Sequence, residues 1–150
     1  MPGRERPRSS QSAIVNAADY RLAAVIATGE PERLYSGLSL LVSEAADGAP
    51  CAGLVAFRAL DLLLDADLQR RVQEPDTTPV LSWAGRETFA RSLGELRETA
   101  FSLASLKLWA CSASVETMGL AAADVEQRLE GVLSTPRFLR ETNGARLLFV

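Results

Sequence analysis

Short runs of almost unbroken apolar residue, set between longer amphipathic stretches, govern what this chain can fold into. Arg21-Leu22-Ala23-Ala24-Val25-Ile26-Ala27-Thr28 ends at Gly29, and Cys51-Ala52-Gly53-Leu54-Val55-Ala56-Phe57 leads to Arg58. Leu106 to Ala110, the brief Gly131-Val132-Leu133 and the closing Ala145 to Val150 complete the set. A strand that faces water on one side alternates apolar and polar residues. These runs do not, so they read as parallel strands covered on both faces.

The segments between them carry helical spacing. Ser36 reads as the cap of a helix whose inner face is Leu38, Leu41, Val42 and Ala45, stopped by Gly48. Leu60, Leu63, Leu64, Leu68 and Val72 predict one helix whose surplus leucines suit either the core or a subunit interface. Gln73 to Pro79 has no apolar period and reads as a loop, a plain connector or a lid. From about Gly85 to Ala104, Phe89, Leu93, Leu96, Ala100 and Leu103 oppose Glu87, Arg91, Glu95 and Glu98. Trp83, just before, would be a packing anchor or line a pocket. A short helix through Met118, a turn at Gly119 and a helical stretch from Asp124 to Leu129 follow Cys111. Ser134-Thr135-Pro136 starts a last helix that Asn143-Gly144 ends. Strands and helices alternating in this way predict a three-layer α/β/α sandwich with a mainly parallel five-stranded sheet and right-handed crossovers.

The 150 residues suffice for one domain, expected over 18–150, behind an Arg-, Ser- and Pro-rich tail at 1–17. The tail lacks the apolar stretch of a signal peptide, and nowhere do 18 apolar residues run together. A soluble, cytoplasmic protein without a membrane partner is the expectation. The net charge is −3; Arg4, Arg6 and Arg8 against Glu5 give the tail +2, so the remainder carries −5 and should repel nucleic acid.

The first strand and its loop contain neither G-x-G-x-x-G nor G-x-x-x-x-G-K-[ST], and Glu30 and Glu32 would oppose a phosphate there. Histidine is absent, which removes Ser-His-Asp and Cys-His catalysis and every imidazole metal site. Two cysteines fall short of a structural zinc site or a disulfide framework. Any chemistry must run without imidazole, and no metal or organic cofactor is implied.

One residue stands out within that restriction. Cys111 lies where the strand Leu106 to Ala110 gives way to a Ser-rich helix, so N–H groups at the helix opening would favour its thiolate. Ligands of open parallel sheets gather outside the carboxyl ends of the strands. That edge should receive Gly29, Glu30, Arg58, Cys111, Ser112, Ser134 and Thr135. Arg58 nearby would lower the thiol pKa further, whereas Glu30 or Glu116 would raise it. Cys51 starts its strand while Cys111 ends its own, so the two should not bridge within one subunit.

Ala110-Cys111, the small residues after it, Glu116 and Met118-Gly119 resemble the DsrE/DsrF-like family, whose members hold a cysteine between a strand and a helix. The strand order of appearance over residues 20–150 is similar to the family's layout, a DsrEFH-like and broadly flavodoxin-like arrangement. The resemblance implies that Cys111 carries a persulfide, accepting sulfane sulfur and passing it to another thiol. Ser112, Ser114, Arg58, Glu30 and Thr135 are then candidates for binding substrate or stabilising the thiolate. It also implies a homo-oligomer, a trimer or hexamer, with sulfur donor and acceptor proteins or small thiols as partners. Two rivals stand beside it: a non-catalytic oligomer that binds a ligand or partner with Cys111 merely packed, and a peroxiredoxin-like thiol peroxidase.

Overall fold

A computed structural model describes residues 19–150, so the expected tail at 1–17 lies outside the described residues. The five strands are β1 (Leu22–Ile26), β2 (Cys51–Val55), β3 (Leu106–Cys111), β4 (Gly131–Leu133) and β5 (Arg146–Phe149). They form one all-parallel sheet in the order β4-β3-β2-β1-β5. The protein is thus the three-layer sandwich expected. Its strand order differs from the 2-1-3-4-5 of flavodoxin while keeping the same layers.

The seven helices are α1 (Pro31–Ala46), α2 (Phe57–Leu64), α3 (Leu68–Val72), α4 (Trp83–Ser102), α5 (Ser112–Met118), α6 (Ala122–Glu126) and α7 (Thr135–Glu141). From β1 to β4 the chain steps steadily across the sheet, so right-handed crossovers put the helices from α1 to α6 on one face. The last crossover reverses direction past β1, and α7 goes to the other face.

Strand alternation supplies each layer with its own core. Ala24, Ile26, Val55, Leu106 and Leu108 meet the buried residues of α1, α2 and α4 on the first face. Leu34, Leu38, Leu41, Leu60, Leu63 and Leu93 are fully enclosed there, each contributing about 1.5–3 kcal/mol by leaving water. Gly53 makes that contact possible: a Cβ on it would stand 2.7 Å from Leu108 Cδ2 and 3.2 Å from Leu41 Cδ1. On the second face Ala23, Ala52, Leu54 and Cys111 pack with Phe138 of α7, and Phe138 meets Trp109 edge-on at 6.5 Å.

Several boundaries differ from the sequence reading. The first helix begins at Pro31, not after Ser36, because proline suits the first helical position, where no N–H is needed. Ser36 lies inside the helix and its hydroxyl donates to the Glu32 carbonyl at 3.1 Å. β2 ends at Val55, so Arg58 stands in the first turn of α2 and not at the strand end. The single helix expected from Leu60 to Val72 is two, broken where the Asp65 carboxylate accepts the Asp67 N–H at 2.8 Å. Its surplus leucines enter the core: Leu60, Leu62, Leu63 and Leu68 are all buried within the chain. Trp83 is the first residue of α4 and is 76% exposed, neither anchor nor pocket wall.

Arg97 of α4 is buried and holds this corner together. Its guanidinium donates to the Leu63 carbonyl at 3.2 Å and the Asp65 carbonyl at 2.6 Å, satisfying acceptors at the end of α2. Among the described residues no helix is long and apolar enough to cross a membrane.

Candidate functional site

Cys111 is the last residue of β3 and the N-cap of α5, paired in register with Leu133 at the end of β4. Its side chain belongs to the α7 face, in the cluster that also holds Leu54, Ala56 and Phe138, and 6% of the residue remains exposed. Burial pushes this thiol up. The Ser114 N–H and hydroxyl, the Ala113 N–H and the Thr135 hydroxyl outweigh that and leave it below its ordinary value. A thiolate can therefore form in a nearly closed site because neutral donors replace the water that has been removed.

Each donor has a local origin. The turn from β3 into α5 leaves the first helical N–H groups without intrahelical partners; those of Ala113 and Ser114 lower the thiol pKa, although the Cys111 side chain makes no capping hydrogen bond to them. Ser114 is fully buried and its hydroxyl accepts the Phe57 N–H at 2.9 Å, which leaves its own proton free for Cys111. Thr135 comes from the other side, at the first position of α7, fixed by the Ser134 side chain accepting the Arg137 N–H at 3.3 Å. Gly119 closes α5 in the left-handed conformation at φ 68°.

Of the candidates read from sequence, Ser114 and Thr135 meet Cys111. Ser112 opens α5 half-buried, and its hydroxyl is not among the groups acting on the thiol. Glu30 and Arg58 lie at the same edge of the sheet but line a neighbouring cleft of about 730 Å³ with Asp61, Arg71 and the loop residues Asp76 and Val80. The stem of Arg58 crosses Gly29 so closely that a Cβ there would come within 2.6 Å of its Cδ. Arg71 in the cleft wall is held by Asp61 at 2.9 Å and Asp65 at 3.0 Å. The loop after α3 thus forms a wall of this cleft, which Cys111 does not line.

Phe57 was not legible as a participant. It adopts φ 49°, unusual for a side chain of its size, at the corner between β2 and α2. Nothing in an Ala-Phe-Arg sequence announces a left-handed phenylalanine. Cys51 sits on the opposite face of the sheet, wholly buried, with its thiol donating to the Ala49 carbonyl at 3.4 Å. Burial raises its pKa first, and Glu44 adds to that. Cys51 is in register with Leu106, five residues before Cys111, which separates the two sulfurs by about 16 Å along the strand direction. Both cysteines are free.

No family model matches the chain, and no curated protein matches it. Any functional reading therefore rests on these residues and their geometry.

Proposed function

We propose that this is a DsrE-like sulfur carrier of the cytoplasm, in which Cys111 accepts a sulfane sulfur as a persulfide and passes it to an external thiol. The observation that supports the reading is the place of Cys111 at the carboxyl edge of a parallel sheet and at the N-cap of α5, where the neutral donors of Ala113, Ser114 and Thr135 hold its thiol below the ordinary value. Such donors favour the thiolate as attacking group and again as leaving group, the two roles that relay chemistry demands.

In the accepting step the Cys111 thiolate attacks the outer sulfur of a donor persulfide. A new sulfur–sulfur bond forms at Cys111 as the donor's own breaks, and the donor departs as a thiolate that takes a proton from water. In the passing step an acceptor thiolate attacks that outer sulfur and Cys111 leaves as thiolate. No net oxidation occurs. Cys51 takes no part, because it lies across the sheet and out of reach, so the cargo is discharged to a second molecule. A homo-oligomer, trimer or hexamer, working with donor and acceptor proteins or small thiols, belongs to the same proposal.

The test is intact-mass analysis after incubation with a sulfane-sulfur donor. The wild type and Cys51→Ser should gain sulfur while Cys111→Ser does not. One observation favours a second reading: with 6% of the residue exposed, Cys111 could be a packing residue in a ligand- or partner-binding scaffold. Under that reading none of the three proteins gains sulfur at residue 111. A peroxide-dependent sulfenic acid at Cys111 without persulfide would instead indicate a thiol peroxidase.

A further inference from the structure

We propose that the open edge of β5, with the face of α1 beside it, is where a second copy of this chain docks across a two-fold axis. The proposal goes beyond the reading of Cys111 and does not depend on it.

β5 has a neighbouring strand on one side only. The Arg146 N–H donates to the Arg21 carbonyl at 3.0 Å and the Val150 N–H to the Val25 carbonyl at 2.9 Å. In a parallel ladder alternate residues bond to the same neighbour, so Leu147 and Phe149 turn their N–H and C=O groups outward. Proteins guard such an edge by shortening it, charging it or breaking it with proline. β4, at the other end of the sheet, is guarded by having only three residues. β5 has no such guard: after Arg146 it runs Leu147-Leu148-Phe149-Val150, and the Arg146 guanidinium is drawn aside to Glu44 at 3.7 Å.

The side chains flanking this edge are apolar and exposed. Leu148 and Val150 pack on the α1 side of the sheet, while Leu147 and Phe149 point to the α7 side and stay 52% and 77% exposed. On α1, Gly37 lies against Val150 and Glu44 reaches Arg146. Leu40 is on the same helix face between them, so it stands beside the edge, 50% exposed. These three side chains offer roughly 300 Å² of apolar surface per copy, against the ~800 Å² that each partner gives to a standard interface. The outward backbone of β5 and the polar residues of α1 add to it.

The occupant is a second copy because the edge is complementary to itself. Antiparallel pairing centred on Leu148 sets Leu147 opposite Phe149 of the second copy and Phe149 opposite its Leu147. Both are positions whose N–H and C=O groups face outward, so each pair closes two hydrogen bonds. The Leu and Phe side chains meet across the strands on one face, and Leu40 meets its counterpart on the other. The same axis sets the two α1 helices antiparallel, with Arg33 of each toward Glu44 and Asp47 at the acidic end of the other. A trimer has no two-fold axis, so the contact belongs to a dimer or to a hexamer built from dimers.

The experiment is sedimentation equilibrium of the full chain, with a thermal melt on every variant. The wild type should have the mass of two chains or of six. Phe149→Lys and Leu40→Glu should each break the two-fold contact with the melt unchanged, leaving one chain from a dimer or three from a hexamer. Leu139→Lys and Trp83→Lys, at exposed apolar positions elsewhere, should leave the mass as it is. Register is read by mild oxidation in the Cys111→Ser background. Leu148→Cys should form a disulfide with its own counterpart across the axis, whereas Arg146→Cys, held about 13 Å from its counterpart by a four-residue offset, should not. A wild type of one or three chains would overturn the proposal, as would an oligomer that Phe149→Lys and Leu40→Glu leave intact. Cross-linking at 146 and not at 148 would overturn it too. None of these results alters the persulfide test at Cys111, which stands or falls separately.

Discussion

Replacing Phe138 by alanine tests whether the thiol site depends on α7 as described. Phe138 is fully enclosed and is the only residue of α7 whose side chain is buried in the sheet's second core. The ring packs with Ala23, Ala52 and Leu54 and meets Trp109 edge-on at 6.5 Å. Removing a phenyl ring from such a position costs about 3–5 kcal/mol through lost burial and the cavity left behind. For a domain of ordinary stability, about 5–15 kcal/mol, that is a large share. Ala23 and Ala52 are too short to fill the space, so only Leu54 and Trp109 could shift into it and part of the cavity remains. Because α7 also carries Thr135, loosening it withdraws one hydroxyl from Cys111 and uncovers the sulfur. Urea unfolding followed by fluorescence of Trp109 should show the loss, with Trp83 contributing a nearly constant background because it is exposed. Alkylation should be faster well above the thiol pKa, where access limits it, and its midpoint should rise. A loss under about 1 kcal/mol, with the midpoint unchanged, would refute the claim that this ring anchors α7 over the thiol.

Two further predictions concern charge in the interior. Cys111 has a folded-state pKa below its unfolded value of about 9, so its thiolate stabilises the fold above that value and the contribution is lost as pH falls through the folded pKa. The stability difference between wild type and Cys111→Ser, measured by urea titration, should therefore grow as pH rises toward 9. A flat difference would count against it. Cys51 has the opposite sign, with a raised pKa, and removes stability only above pH 9. Arg97→Leu should cost about 1–3 kcal/mol by orphaning the Leu63 and Asp65 carbonyls at the end of α2, and thermal unfolding would read it.

The sheet was legible because strands covered on both faces must be apolar at nearly every position, and β1, β2 and β3 are. Helix interiors were legible for a similar reason. Their ends were not, because competing signals lie close together: Pro31 and Ser36 both mark a start, and only packing decides that the earlier one is used. The break between α2 and α3 was hidden because Leu60, Leu64, Leu68 and Val72 keep helical phase straight through it. At the site, Cys111, Ser114 and Thr135 could be named from their places at strand and helix ends. What sequence could not show is which serine faces the sulfur. That depends on a half-turn of α5, which buries Ser114 and leaves Ser112 half-exposed. Arg58 was misplaced for a simpler reason: two residues fewer in β2 put it on a helix, where its stem lies over Gly29.

The two coverings of the sheet are unequal. Six helices blanket one side, while among the described residues a single seven-residue helix roofs the other. A molecule built this way has a thick wall and a thin one, and Cys111 is under the thin one. Reaching that sulfur requires lifting only one short element, while the leucine-rich side that carries most of the stability stays intact. Durability and access are divided between the two sides of one sheet.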